Sequence, residues 1–235
     1  MMIDKQAQLK QAAARHALSL VKDDMILGLG TGSTTAFFVD FLGQALQSGR
    51  LKNIVGVPTS ERTAQRARKL GIPLTTLDQV DYLHLAVDGA DEVDPNLNLI
   101  KGLGKALLRE KLVEVHARQF WVIVDESKLV GRLGERGPLP VEILPFAHEA
   151  TVRWLNGLPG CQAKLWLRED GEPWVTDNGH YLARCWFESG ISDPETLGRT
   201  LNNWPGVMEH GLFLGMASGV IVASEDGVRT LTKNA

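Results

Sequence analysis

The sequence predicts an α/β protein: a mainly parallel sheet wound with helices on both faces, followed by a smaller α+β domain. Two observations lead there. Short apolar runs alternate with helix-periodic segments through the first half of the chain, which argues for a parallel sheet covered on both sides. Beyond Gly131 the order changes to strand, helix, strand, strand, helix, strand, the split βαβ or ferredoxin-like plan.

Taken in order, Asp4 is positioned to cap a first helix whose stripe is Leu9, Ala13, Ala17, Leu20 and Val21. Met25–Leu29 is a short buried strand, and the turn GLGTGSTT (Gly28–Thr35) leads into a helix through Phe37, Phe38, Phe41, Leu42 and Leu46. Asn53–Val57 reads as a strand, Ser60–Leu70 as a helix, Ile72–Leu77 and Tyr82–Val87 as strands, Lys105–Ala117 as a helix and Phe120–Val124 as a strand. GRLGERGPLP reads as a linker. In the smaller domain, Val141–Leu144, Gln162–Leu167, Tyr181–Phe187 and a segment near Val207 are strands, Ala147–Asn156 and Pro194–Asn203 helices, and Asp177-Asn178-Gly179 a hairpin turn. The tail from Gly211 supplies short strands that return to the first sheet, so the domains are expected at 1–130 with 211–235, and at 131–210.

Composition limits the function. The net charge of −3 provides no global field toward nucleic acid or an anionic membrane, so neither is expected as a partner and anion affinity has to be local. The start, MMIDKQAQLK, is polar, and the longest apolar stretch, Leu212–Ala223, is too short to span a bilayer. Two distant cysteines, Cys161 and Cys185, form no CxxC and fit packed thiols in a reducing compartment, hence a cytoplasmic protein. The histidines lack ligand spacing, so no metal site is expected.

Chemistry concentrates in VDGADEVDPNLNLIKGLGKALLREK, from Val87 to Lys111. Asp88, Asp91, Glu92 and Asp94 follow an apolar strand at its carboxyl end, where ligands bind in open α/β sheets. Lys101 and a helix bearing Glu110 come next. The glycine turn offers a second signal: backbone N–H groups, a helix N-terminus and the hydroxyls of Ser33, Thr34 and Thr35 suit phosphate. The alternative is that these glycines serve a tight turn and nothing more. The spacing is neither GxGxxG nor a GK[ST] loop, which argues against dinucleotides and nucleoside triphosphates.

GLGTGSTT, VPTSERT, DGADEVD, KGLGKALLREK, PVEILP, VTDNG and PGVMEHGLF stand in an order that resembles ribose-5-phosphate isomerase, type A. The resemblance runs from about Leu9 to Lys233. It implies a Rossmann-like domain with a smaller α+β domain, a homodimer or homotetramer, and interconversion of ribose 5-phosphate and ribulose 5-phosphate with neither metal nor cofactor. Glu110 would be the general base, with Asp88, Asp91 and Lys101 as catalytic partners. Gly89, Ala90, Gly102, Leu103 and Gly104 would line the sugar. Thr31, Gly32, Ser33, Thr34, Lys128 and Lys10 would take the phosphate. One carboxylate can move a proton between adjacent carbons through an enediolate, Lys101 and the loop backbone can stabilise the developing oxyanion, and Asp88 is suited to ring opening while Asp91 orients hydroxyls.

Two positions depart from the pattern. Leu103 stands where glycine is usual, and leucine does not adopt φ > 0 cheaply. Lys105 replaces a small residue near a helix N-terminus; it either adds positive potential facing the sugar or is solvated, and the solvated reading is preferred. His210 is read as packed or hydrogen-bonded, and the tryptophans beyond Gly131 as core or subunit contacts. A sugar-phosphate sensor, a CoA transferase and an amino-sugar phosphate deaminase of related fold are the rival readings.

Overall fold

The computed structural model describes residues 5–232, so the Asp4 cap and Lys233 lie outside the described residues. Two compact units are present. One comprises 1–90, 109–128 and 216–235; the other comprises 91–108 and 129–215.

In the first unit, α1 (Lys5–Leu18), β1 (Ile26–Leu29), α2 (Ser33–Gln47), β2 (Val55–Pro58), α3 (Glu61–Lys69) and β3 (Leu85–Asp88) follow in order. In the second, β4 (Glu92–Val93) and β5 (Leu99–Ile100) come next, and the boundary between units falls inside α4 (Leu107–Val115). β6 (Phe120–Asp125) belongs to the first unit. The second then continues with β7 (Leu139–Ile143), α5 (His148–Leu155), β8 (Cys161–Leu165), β9 (Tyr181–Phe187), α6 (Pro194–Asn202), β10 (Val207–His210) and β11 (Leu212–Phe213). β12 (Gly219–Ser224) and β13 (Gly227–Thr232) close the first unit.

The first unit's sheet runs β13-β12-β6-β3-β1-β2, parallel except for β13. From β1 the chain moves outward to β2 and then crosses back to β3 on the other side. β1 and β3 therefore flank the topological switch point, and the loops leaving their carboxyl ends diverge there. Leu27 and Leu29 of β1 and Leu85 and Val87 of β3 pack with Phe38 and Leu42 of α2 and with Ala13, Ala14 and Ala17 of α1. Alanines on α1 let that helix lie close to the layer beneath it, and each large apolar side chain buried here contributes about 1.5–3 kcal/mol. On the other face, Val113 of α4 packs with Val57 and Leu83, and it fills the space that a side chain at Gly28 would need.

The expected strand Ile72–Leu77 is absent. Pro73 has no N–H to give a ladder, so Leu74 forms only an isolated bridge to Gly56 and Leu77–Gln79 is a 3-10 turn.

The second unit contains a four-stranded antiparallel sheet in the order β10-β7-β9-β8, with α5 and α6 supplying the βαββαβ connections. Leu139, Val141, Ile143, Ala183, Leu155 and Leu201 form its core. Trp154 and Trp204 stack with centroids 4.4 Å apart beside it. A three-stranded sheet, β11-β5-β4, completes this unit. That sheet explains a difference from the sequence expectation. Residues 91–108 group with the second unit because β4 and β5 pair with each other and β5 pairs with β11. GRLGERGPLP is likewise not a free linker: the buried Glu92 carboxylate accepts from the N–H groups of Gly134 (2.5 Å), Arg136 (3.0 Å) and Gly137 (2.9 Å).

Candidate active site

The first unit assembles the glycine turn around Asp88. This aspartate ends β3 and is 1% exposed. Its Oδ1 accepts from the Thr31 N–H (3.0 Å), the Gly89 N–H (2.6 Å) and the Thr35 hydroxyl (3.1 Å). The carboxylate reaches these donors because residue 30 is glycine: a Cβ there would lie 2.1 Å from the Asp88 Cγ. Gly30 is thus required by close approach, and Gly30 N–H donates to Val87 across the two strands at 3.0 Å.

Thr31 is wholly engaged inside the unit. Besides its N–H, its hydroxyl lies 2.7 Å from that of Thr59, 2.8 Å from that of Ser60 and 3.1 Å from that of Thr63. Thr63 in turn donates to the Gly30 carbonyl at 2.9 Å, so the VPTSERT motif braces the turn from below. Thr31 therefore shapes the turn, and the groups facing outward are different ones. α2 starts at Gly32 with no side-chain cap, Ser33 is exposed and Thr34 is partly so. Gly30, Gly32 and Ser33 line a cavity of about 410 Å³ whose wall also carries Arg62, Arg66 and Lys69. Lys128 lies in a 3-10 turn directly after β6, and Lys10 is partly buried on α1. Glu110, on the first turn of α4, is 2% exposed.

The second unit assembles Asp91, Lys101 and the loop Gly102–Gly104. Lys101 directly follows β5 and is 2% exposed. Its N–H donates to the Gly211 carbonyl at 2.9 Å, and its Nζ lies 5.3 Å from the centroid of the Phe213 ring. A Cβ at Gly211 would lie 2.2 Å from the Lys101 carbonyl oxygen, so this glycine is needed for the contact. Asp91 Oδ2 accepts the Leu103 N–H at 2.9 Å. The turn closes with Lys105 N–H donating to the Gly102 carbonyl, also at 2.9 Å.

The four clustered acids divide by what they hold. Glu92 binds the 134–137 loop, as described above. Asp94 caps its own turn, its Oδ1 accepting from the N–H groups of Asn96 and Asn98 at 2.8 Å each. Asp88 and Asp91 are the pair committed to the glycine-bearing turns.

A family model described as ribose 5-phosphate isomerase A (phosphoriboisomerase A) matches residues 55–227. The chain belongs to the ribose 5-phosphate isomerase A family. It is 52% identical over 221 residues to the ribose-5-phosphate isomerase A of Roseiflexus sp. strain RS-1, covering 93% of each chain. It is 49% identical over 232 residues to a probable chloroplastic ribose-5-phosphate isomerase 3 of Arabidopsis thaliana, covering 97% of this chain and 84% of the relative. A solved D-ribose-5-phosphate isomerase in complex with phospho-erythronic acid superposes with a TM-score of 0.94 at 44% identity, over 98% of this chain and all of that one.

Against the family pattern, both departures resolve differently from the sequence expectation. The positive φ values of the loop fall on Gly102 (108°) and Lys105 (68°), and Leu103 avoids them. Lys105 is not simply solvated, because its Nζ lies 3.3 Å from the centroid of the Trp174 ring. Trp166 and Trp174 thus contact this loop through Lys105, which their count and position in the sequence do not reveal. His210 is buried, and its Nδ1 accepts the Leu212 N–H at 3.2 Å. The Thr35 hydroxyl, expected to face phosphate, is buried and donates to Asp88 instead, and the supporting roles of Thr59, Ser60, Thr63 and Gly211 are not among the sequence expectations. The motifs VPTSERT and PGVMEHGLF carried the signal, but their hydroxyls and glycine acquire meaning only once the partner atoms are placed. Among the described residues no group of three or more His, Cys, Asp or Glu is arranged to hold a metal ion, and no helix is long and apolar enough to cross a membrane.

Proposed function

We propose that this isomerase interconverts D-ribose 5-phosphate and D-ribulose 5-phosphate by carboxylate-mediated proton transfer through an enediolate. The observation that carries the reading is the environment of Asp88. This buried carboxylate is fixed by two backbone N–H groups and a hydroxyl at the sheet's switch point, beside a helix start that has no side-chain cap. Such a site holds an acid–base group and an anion at fixed positions, as a small phosphorylated substrate requires.

In this reading Asp88 assists opening of the sugar ring and Glu110 carries the proton from C2 to C1. A positioned carboxylate contributes typically about 10²–10⁴-fold to such a transfer. Lys101 stabilises the charge developing on the substrate oxygen. Asp91 orients the sugar hydroxyls through the loop it braces, and Gly89, Ala90, Gly102 and Gly104 present backbone. Leu103 N–H is committed to Asp91, which removes it from the set of oxyanion donors. The phosphate is received by the start of α2, through Gly32, Ser33 and Thr34, with Lys128 and Lys10. Thr31 serves from behind. A homo-oligomer and a cytoplasmic setting belong to this reading, the first supported by the exposed Phe146 and Met208 and the second by the two free thiols.

Incubating the protein with ribose 5-phosphate in the presence of a chelator and reading ketose formation tests the proposal. Steady turnover is expected. Binding of ribose 5-phosphate without turnover would favour a sensor instead, and full loss on chelation would point to a metal-dependent hydride shift.

A further inference from the structure

Resting on that reading of the Gly102–Lys105 turn, we propose that Lys105, Trp166 and Trp174 form a clasp that positions it, making them positioning residues for the isomerisation. The backbone at Lys105 is the first indication. Its φ of 68° lies in the left-handed region, where side chains other than glycine are disfavoured. Glycine would take that conformation freely, yet a lysine stands here. Its side chain supplies the compensation: Nζ sits 3.3 Å from the centroid of Trp174 and 5.1 Å from that of Trp166. An ammonium over an aromatic face is attracted by the negative charge density of the ring, and two faces hold it better than one.

The tryptophans are themselves fixed. Trp174 N–H donates to the Trp166 carbonyl at 2.8 Å, and Trp166 N–H donates to the Leu182 carbonyl at 2.7 Å. The hairpin that carries both is therefore tied to β9. Leu167 and Pro173 bridge across it, and Gly171, with φ 85°, turns its tip. Arg184, on β9, places its guanidinium 5.0 Å from the Trp166 ring. Restraints on the Gly102–Lys105 turn within this unit therefore include one at each end. Asp91 holds it through the Leu103 N–H, and the tryptophan pair holds it through the Lys105 side chain. Donors that stabilise developing charge act by being in place before the charge appears, so loosening either restraint should slow the chemical step more than it weakens binding.

Steady-state kinetics on ribose 5-phosphate tests this with Lys105→Met, Lys105→Gly, Lys105→Arg, Trp174→Leu, Trp174→Phe and the double variant Lys105→Met/Trp174→Leu. Lys105→Met and Trp174→Leu should each lower kcat by about 5- to 30-fold, the range open to a partly buried cation–π contact. KM should move by less than about twofold. Lys105→Arg and Trp174→Phe, which keep a cation and a ring, should recover most of the rate. Lys105→Gly is the discriminating variant. It relieves the backbone, so it should melt no lower than the wild type, and yet be as slow as Lys105→Met; a purely structural lysine would leave it at wild-type rate. The double variant should be no slower than its slower parent. Wild-type kcat in Lys105→Met and Lys105→Gly, a change confined to KM, or multiplying losses in the double variant would overturn the clasp. If Trp174→Leu does not fold, the contrast of Lys105→Met with Lys105→Arg decides alone. A wild-type protein without isomerase activity would overturn the functional reading and the clasp together, whereas an active wild type with unaffected variants would overturn the clasp only.

Discussion

Helices α2 and α6 begin in opposite ways. At α6 the Asp193 carboxylate accepts the Thr196 N–H at 2.9 Å, and Pro194 occupies the first helical position, where no N–H is needed. At α2 the cap is Gly32 with no side-chain acceptor, although hydroxyls stand at Ser33, Thr34 and Thr35. Thr35 is turned to Asp88 instead. The same residue types thus serve two ends. A helix that satisfies its own first turn is a stability element, and one without a side-chain cap keeps N–H groups that an anion can take, the role proposed for α2. Changes at α2 and its surroundings should therefore read out in kinetics, and changes at α6 in melting.

The largest effect is expected from Gly30→Ala. Its added Cβ would collide with the Asp88 carboxylate, and overpacking of this kind costs about 1–3 kcal/mol. Turnover should fall by more than about a hundredfold, because the displaced groups include both Asp88 and the start of α2. Kinetics and thermal melting of the variant check this; near-normal turnover would separate the turn from the chemistry.

Lys128→Ala and Ser33→Ala come next. Each should raise KM for ribose 5-phosphate by about tenfold or more, matching the roughly 1.5–3 kcal/mol of a charged hydrogen bond. Melting should change little, and unphosphorylated ribose should be a very poor substrate. Unchanged KM in both would place the phosphate elsewhere and break the comparison.

Glu92→Gln belongs to the stability side. It replaces half of an acceptor set that serves three N–H groups, so melting experiments should show a loss of about 1–3 kcal/mol. kcat should stay near wild type.

The smallest effect is Asp193→Ala, a lower melting temperature with unaltered kinetics. Hydrogen bonds from Thr196 hold the Asp193 carboxyl below its ordinary pKa. A depressed folded-state value means that its stabilisation is complete above the unfolded value and is lost as pH falls through the folded one. The melting difference between wild type and variant should thus be present near neutral pH and vanish in acid. A difference that persists unchanged in acid would remove the cap from the account.

Much of this architecture is readable in the residues. Alternating apolar runs mark β1, β3 and β6, and Asp177-Asn178-Gly179 marks the hairpin before β9, because period and turn chemistry are local properties. What escaped was decided by partners distant in sequence. Ile72–Leu77 has strand composition, but Pro73 has no N–H to extend the ladder beyond the single bridge of Leu74 to Gly56. Asp88 and Asp91 cannot be told from Glu92 and Asp94 by spacing, since all four are acids within one short stretch of sequence, 88–94. They separate only when Gly30, Leu103 and the 134–137 loop are seen to meet them. The glycine at position 102, not the leucine after it, absorbs the turn's first positive φ, which the motif alone does not say.

Proton transfer by Glu110 is tested by converting ribose 5-phosphate in deuterated water with chelator present. Deuterium is expected at C1 of the ribulose 5-phosphate formed, predominantly at one of its two hydrogens, because one carboxylate serves one face of the enediolate. Glu110→Gln should abolish that incorporation while ribose 5-phosphate still binds. Retention of more than about a tenth of the rate in Glu110→Gln, or complete transfer of the C2 hydrogen to C1 without label, would contradict it.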